Sequence, residues 1–397
     1  MSARLSLAVV LACAGTAAAQ PARLAPGDVP AASEEPPQVI LLTFGVGPRI
    51  FEKFGHAAIC LRQPHSEREP VCFNYGVTSF DDTGAMAWNF LRGQQRFWVE
   101  PEAFDAMVRF YRAEDRDVFA QELALAPDQA RAIEATLLHD VEDAHKYYVY
   151  DHFRDNCTTR LRDMIDRATG GKLSAGADVP YALTYREIGY SGLSGLPFLK
   201  AVADYVIGRQ LDDTPTVWQA MFHPDVLRAQ VEQRLGAAPR QLYKRRGPPF
   251  PKDGPSDRGW ALAIALVFAL PLVVAQWRRR LERAALAWST LYLGLGGIAI
   301  WGLVAISSIP GVRWNEAVFV MMPFDAALPF LPVALRRRYA RLRVAGLLLV
   351  SALASVGIFH QPLWIPILSA IIPLSIVGFD LPHPLLARQA QAVVART

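Results

Sequence analysis

The chain has 397 residues, 52% of them apolar, with 41 Lys and Arg against 37 Asp and Glu for a net charge of +4. That length allows two or more folding units, and the apolar share is only slightly high for a soluble protein, so its distribution matters more than its mean. The small positive balance calls for no nucleic acid, because much of it sits in arginine clusters beside apolar runs. Phosphate-binding glycine loops, cysteine-pair zinc patterns and internal repeats are absent.

Arg4, the apolar stretch Leu5–Ala12 and the small residues ending Ala17-Ala18-Ala19 have the layout of a secretory signal peptide, so residues 1–19 are expected to be removed. Cys13 invites comparison with a lipoprotein cleavage site. Leu11 before it puts bulk where small residues belong, so Cys13 is expected to leave with the signal. Residues 20–37, rich in Pro and Ala, read as a flexible tether.

Residues 38–250 read as an exported α+β domain. Val39–Phe44, Gly55–Leu61, Val71–Tyr75 and Val118–Leu125 are strand candidates. A helix is expected from Asp128 to about His145, after Pro127 at a first-turn position. Another is expected from about Cys157 to Thr169, with Leu161, Met164, Ile165 and Ala168 on one face and Gly170-Gly171 at its end.

Residues 260–380 read as an all-α membrane domain of five helices, with spans at Trp260–Trp277, Ala284–Ile309, Ala317–Leu335, Leu342–Phe359 and Leu363–Phe379. Each approaches the ~20 residues that a helix needs to cross hydrocarbon. The third is interrupted by Pro323, Asp325, Pro329 and Pro332, which implies a broken or re-entrant stretch. Arginines follow the first span (Arg278, Arg279, Arg280, Arg283), the third (Arg336, Arg337, Arg338, Arg341, Arg343) and the fifth (Arg388, Arg396). Cationic loops stay cytoplasmic, so the first span is expected to enter from outside and the tail, residues 381–397, to end inside. The signal peptide independently requires the same orientation.

Three cysteines remain after signal removal. Cys60 and Cys72 could pair across neighbouring strands or could simply be buried strand residues. Either way Cys157 is the odd one, in the segment "YVYDHFRDNCTTRLRD" where a helix begins. A helix N-terminus favours thiolate, and a nucleophilic thiolate needs a base, for which histidine is the natural choice. His65 and His223 read as loop residues, His139 and His145 fall on different helix faces, and a tight turn aims His152 away. His56, starting a strand after Phe54-Gly55, is the candidate base.

Gly55-His56-Ala57 on a strand followed by Asn156-Cys157 opening a helix resembles the permuted papain-like (NlpC-like) arrangement. The pieces "FGHAAI", "CFNYGVTSF", "AEDRDVFAQELAL", "YVYDHFRDNCTTRLRD", "LTYRE" and "LDDTPTVWQAMFHPDVL" are similar to the Lnb-type lipoprotein N-acyltransferases, as is "VRWNEAVFVMMPFDAALP" in the membrane part. The resemblance implies an inner-membrane enzyme with a periplasmic catalytic domain and no cofactor or metal. It implies that Cys157 takes an acyl chain from a phospholipid as a thioester and passes it to the N-terminal amine of a diacylated apolipoprotein, with His56 moving the protons.

Asn74, on the neighbouring strand, is the candidate to orient His56. Asn156 could shape the helix start or donate to an oxyanion, and Asp151, Arg160 and Asp163 match the motif while serving equally as helix-start ion pairs. Arg186 could meet a lipid phosphate or simply cap the Leu183–Glu187 segment. Asn315 and Asp325 are the candidates for lining a lipid access groove, near Trp314 at headgroup level. Two alternatives stay open: an NlpC-type cysteine amidase or peptidase acting on cell wall, and a non-enzymatic membrane assembly factor. "GYSGLSG" contains no Gly-x-Ser-x-Gly and "HDVEDAH" lacks His-Glu-x-x-His spacing, so serine and zinc hydrolases are poorly supported.

Overall fold

The structure is a computed structural model that describes residue 24 and residues 35–49, 52–79, 81–193, 196–248, 258–278 and 280–379. The expected signal peptide with Cys13, most of the tether and the expected cytoplasmic tail lie outside the described residues. The chain divides into two compact units, one of Met1–Gly195 with Thr214–Asp253 and one of Leu196–Asp213 with Gly254–Thr397. Leu196–Asp213 falls inside the stretch read from sequence as exported domain, yet it groups with the apolar C-terminal unit.

The first unit is built on an antiparallel sheet of β1 (Gln38–Phe44), β2 (His56–Arg62), β3 (Val71–Val77), β4 (Arg96–Ala103), β5 (Val118–Leu123), β6 (Tyr147–Val149) and β7 (Arg240–Tyr243). Their order across the sheet is β6-β4-β3-β2-β1-β5-β7. β1 lies near the middle and is covered on both faces, which is why its run Val39–Phe44 is continuously buried rather than alternating in polarity.

The period-two geometry of strands sorts the core into two layers. Val39, Leu41, Ala57, Ile59, Phe73 and Tyr75 pack with Ile133 and Leu137 of helix Pro127–Asp140, with Leu161 and Ile165 of helix Cys157–Ala168, and with Leu227 and Val231 of helix Pro224–Leu235. Ile40, Leu42, Phe44, Ala58, Cys60 and Cys72 face the other way, against Met107 and Tyr111 of helix Phe104–Ala113. Each buried Val, Leu, Ile, Phe or Met among them contributes roughly 1.5–3 kcal/mol. The helices of the first layer seat the start of helix Cys157–Ala168 beside β2.

Cys60 and Cys72 stand directly opposite one another in the β2–β3 register and are joined as a disulfide. That resolves the open pairing and leaves Cys157 as the free cysteine among the described residues.

Several boundaries differ from the sequence reading. The Val118–Leu125 strand ends at Leu123. The helix expected to reach His145 stops at Asp140, because the chain must turn before β6 pairs with β4. β4, with sequence RFWVEPEA, carries a proline and two glutamates, residues depleted in strands, and for that reason was not anticipated.

The second unit has four long helices among the described residues, Arg258–Arg278, Glu282–Ile306, Val333–Ser355 and Trp364–Phe379, with helix Pro197–Val206 joined to them. Of these, Glu282–Ile306 is long and apolar enough to cross a membrane, while Leu262–Arg278 and Trp364–Phe379 are apolar but shorter. The expectation of five helices is corrected at the third span. Glu316–Phe319 and Pro323–Phe330 form 3₁₀ turns, because Pro323 and Pro329 lack the N–H that a continuous helix needs. Helix Glu282–Ile306 makes room for this irregular stretch with glycines. A Cβ on Gly294 would lie 2.4 Å from that of Ala326, and one on Gly297 would lie 2.5 Å from the backbone of Met322. The helix expected as the fourth span, Leu342–Phe359, begins instead at Val333 and takes in the arginine cluster that reads as a loop in the sequence.

Candidate active site

The thiol lies where two strands part. β2 pairs with β3 only over Ile59–Leu61, so His56 and Ala57 extend beyond the ladder between them. Helix Cys157–Ala168 begins beside that opening, where the backbone N–H of Ala57 favours the Cys157 thiolate. Cys157 is half-buried.

The helix start is over-determined. Asn156 is the N-cap: its Oδ1 accepts from Thr159 N–H at 2.9 Å, and its own N–H donates to Thr159 Oγ1 at 2.8 Å. Both amide hydrogens of Asn156 are spent as well, on His152 O at 2.7 Å and Phe222 O at 3.1 Å. Asn156 therefore supports the turn and has no donor left for an oxyanion. Donors for that purpose remain in the first helical turn, where the N–H groups of Cys157 and Thr158 have no intrahelical acceptor.

His56 faces the same opening. Its Nε2 is 2.8 Å from Asn74 Oδ1. The N–H of Gly76 also points at that oxygen, 3.0 Å away, and can only donate, so the Asn74 atom between them is the carbonyl oxygen. Nε2 must then carry the hydrogen, which leaves Nδ1 as the nitrogen available to Cys157. The Asn74 amide donates in turn to Glu102 Oε1 at 2.9 Å. The rings of Phe44 and Tyr111 stack beside the imidazole at centroid distances of 5.9 and 6.1 Å.

Electrostatics couple the pair. Burial pushes the Cys157 thiol up, but the adjacent His56 and its hydrogen bond more than reverse this and bring it down to about 7. Burial opposes the His56 imidazolium, and the Cys157 thiolate outweighs burial, so His56 is held above the ordinary histidine range. Arg116 works against that charge. Its guanidinium is buried 4.7 Å above the Tyr111 ring, and its Nε donates to Gly45 O at 2.8 Å.

The other histidines go elsewhere. His152 Nδ1 meets Tyr150 OH at 3.1 Å among Phe54, Phe153 and Phe222, and burial, then His223, lower it to about 4. His223 caps helix Pro224–Leu235 by accepting from Asp225 N–H. His139 and His145 stack on one another at 3.9 Å, and His65 is exposed.

The remaining predicted site residues of this unit build the surrounding frame. Asp151 Oδ1 accepts from the N–H groups of Phe153 and Arg154, which shapes the turn before the helix. Arg160 grips Asp155 through two bonds of 2.7 and 2.9 Å and covers the Tyr148 ring at 3.9 Å. Asp163 pairs with Arg162, and Arg186 is buried against Tyr190. Asp155, Glu102, Tyr111 and Arg116 were not singled out from sequence. Arg116 falls inside the quoted "AEDRDVFAQELAL", whereas Glu102 carries no local signal. Among the described residues no cluster of His, Cys, Asp and Glu suits a metal ion.

Asn315 and Asp325 belong to the other unit. Asn315 donates to Tyr205 O and Val206 O at 2.8 and 2.9 Å and accepts from Ala317 N–H. Asp325 is fully buried, with its two oxygens bonded to Nε and Nη2 of Arg343 at 3.0 Å and with Tyr339 OH at 2.8 Å. Such a pair is kept together because removing one partner leaves a buried charge uncompensated.

Residues 34–189 match the family model described as the Lnb N-terminal periplasmic domain. The match contains Cys157, His56, Asn74 and Glu102, and it agrees with a periplasmic unit in a membrane-associated protein. Comparison with the curated proteins and with the solved structures returns no match.

Proposed function

We propose that this chain is a membrane-anchored thiol acyltransferase of lipoprotein maturation. It would move an acyl chain from a phospholipid, through a thioester on Cys157, to the N-terminal amine of a diacylated lipoprotein. The observation that carries this reading is a thiol at a helix N-terminus beside a histidine whose tautomer Asn74 sets, in a stretch that matches the Lnb N-terminal periplasmic domain.

The chemistry follows from the pair. Thiolate attacks the ester carbonyl carbon, and the first-turn N–H groups offer hydrogen bonds to the oxyanion. The ester C–O bond then breaks, and the His56 imidazolium gives its proton to the departing alcohol oxygen, which releases lysophospholipid. In the second half the acceptor amine attacks the thioester carbon, His56 takes a proton from it, and the C–S bond breaks to leave an amide and the thiolate. Ester and amine become amide and alcohol, with no external oxidant or reductant. The permuted papain-like arrangement supplies the same order of histidine strand and cysteine helix.

The test is mass spectrometry of a lipoprotein N-terminus from cells with and without the protein. A third acyl chain is expected with the wild-type protein and none with Cys157→Ala. A third chain that persists with Cys157→Ala overturns the proposal, as does an unmodified N-terminus in the presence of the well-folded wild-type protein.

A further inference from the structure

Glu102 is a carboxylate in an apolar layer. It lies opposite Cys72 on β4, on the face it shares with Met107 and Tyr111, and it is 1% exposed. Burying a carboxylate is costly unless hydrogen bonds compensate, and an apolar residue would fill the layer at lower cost. Its position therefore needs a reason beyond packing. The bond it makes supplies one: Glu102 Oε1 accepts from the Asn74 amide at 2.9 Å, while Asn74 Oδ1 accepts from His56 Nε2 and from Gly76 N–H.

We infer that Glu102 is a positioning residue for the thiol chemistry, fixing the Asn74 amide so that its oxygen faces His56 and the imidazole keeps Nδ1 open toward Cys157. This rests on the acyl-transfer reading and deepens it. An amide turned over would present its hydrogens to Nε2, the ring proton would move to Nδ1, and Cys157 would lose its base. The Gly76 N–H opposes that flip from one side of the amide and Glu102 opposes it from the other. A carboxylate, which can only accept, is better suited to this than a hydroxyl or an amide, which could adapt to either orientation.

Other charged and titratable groups face the same pair. Cys157 and Arg116 act on His56 directly, Tyr111 feels Glu102 and Glu52, and Tyr148 and Tyr150 face the thiolate from β6 and the residue after it. Glu102 differs from them in being bonded to the Asn74 amide.

The test is the pH dependence of Cys157 alkylation by iodoacetamide in the full-length protein, followed by peptide mass, with no lipid or lipoprotein present. Glu102→Ala is expected to move the inflection up by about one unit, which slows alkylation about tenfold below the wild-type inflection. Glu102→Gln, whose side-chain oxygen can still accept from Asn74, is expected to stay within about threefold of wild type. Asn74→Ala should reproduce the Glu102→Ala profile, and adding Glu102→Ala to it should change nothing further. A wild-type profile in Glu102→Ala overturns the inference. Should that variant not fold, a wild-type profile in Asn74→Ala overturns it equally. Because alkylation needs no acyl donor, a shifted profile together with an unacylated lipoprotein would leave the positioning role standing and remove the proposed function instead.

Discussion

Replacing His56 with alanine is expected to slow acyl transfer by about 10²–10⁴-fold, the range usual for a lost general acid–base group. Two losses combine. The thiol at about 7 owes its position to His56, because burial alone pushes it the other way. Without the imidazole the thiol returns to the ordinary range or above it, and its ionised fraction at pH 7 falls roughly tenfold or more. The second loss is the proton itself, since an alkoxide leaving group unprotonated by His56 departs slowly. Wild-type alkylation of Cys157 is therefore expected to rise through about pH 7, and the His56→Ala profile only at higher pH. Raising the pH should recover part of the alkylation rate in the variant but not the acyl-transfer rate, because the missing proton donor is not restored. Superimposable alkylation profiles would show that the two side chains do not interact.

Gly76→Ala is the second change with a large expected effect. A Cβ at this position would lie 2.5 Å from His56 Cε1 and 3.2 Å from Nδ1, distances that oblige the ring to move. Gly76 sits in β3 and is not among the glycines with positive φ, so alanine suits its backbone and the fold is expected to tolerate it. The cost should fall on geometry. A displacement of about 1 Å in a catalytic group can cost on the order of 10²-fold in rate, and kcat/KM for acyl transfer is expected to drop by about that factor. Thermal unfolding should remain within a few degrees of wild type. A variant with wild-type kcat/KM would mean that the ring position is unimportant; a variant that unfolds would mean that Gly76 serves the sheet and not the site.

What the sequence made legible was chemistry tied to local signals. Cys157 stood out as the unpaired cysteine at a helix start, His56 as a strand residue after a bare backbone, and the sheet strands as short apolar runs. Asn74 was accessible because a neighbouring strand could be inferred. Glu102 was hidden by its surroundings: between Pro101 and Ala103, in a strand whose composition argues against a strand, its burial follows only from the register with Cys72. Asn156 shows the reverse, since its capping position was legible but the two carbonyls that consume its amide come from His152 and from Phe222, distant in sequence. In the apolar unit, hydropathy found the third span while its prolines and the glycines of Glu282–Ile306 decided its conformation. Asp325 read as a polar residue near lipid, and only the fold reveals Arg343 as its partner, because 18 residues separate the two.

In the proposed reaction every transferred acyl group passes through the sulfur of Cys157. The most direct measurement supplies the full-length protein with a phospholipid bearing an isotope-labelled acyl chain, omits any acceptor, quenches in acid and maps the modified peptides by mass. The labelled acyl mass is expected on the Cys157 peptide, lost on treatment with neutral hydroxylamine and absent in Cys157→Ala. A Cys157 peptide that stays unlabelled in protein that transfers the label once a diacylated lipoprotein is supplied would show that the acyl group takes another route.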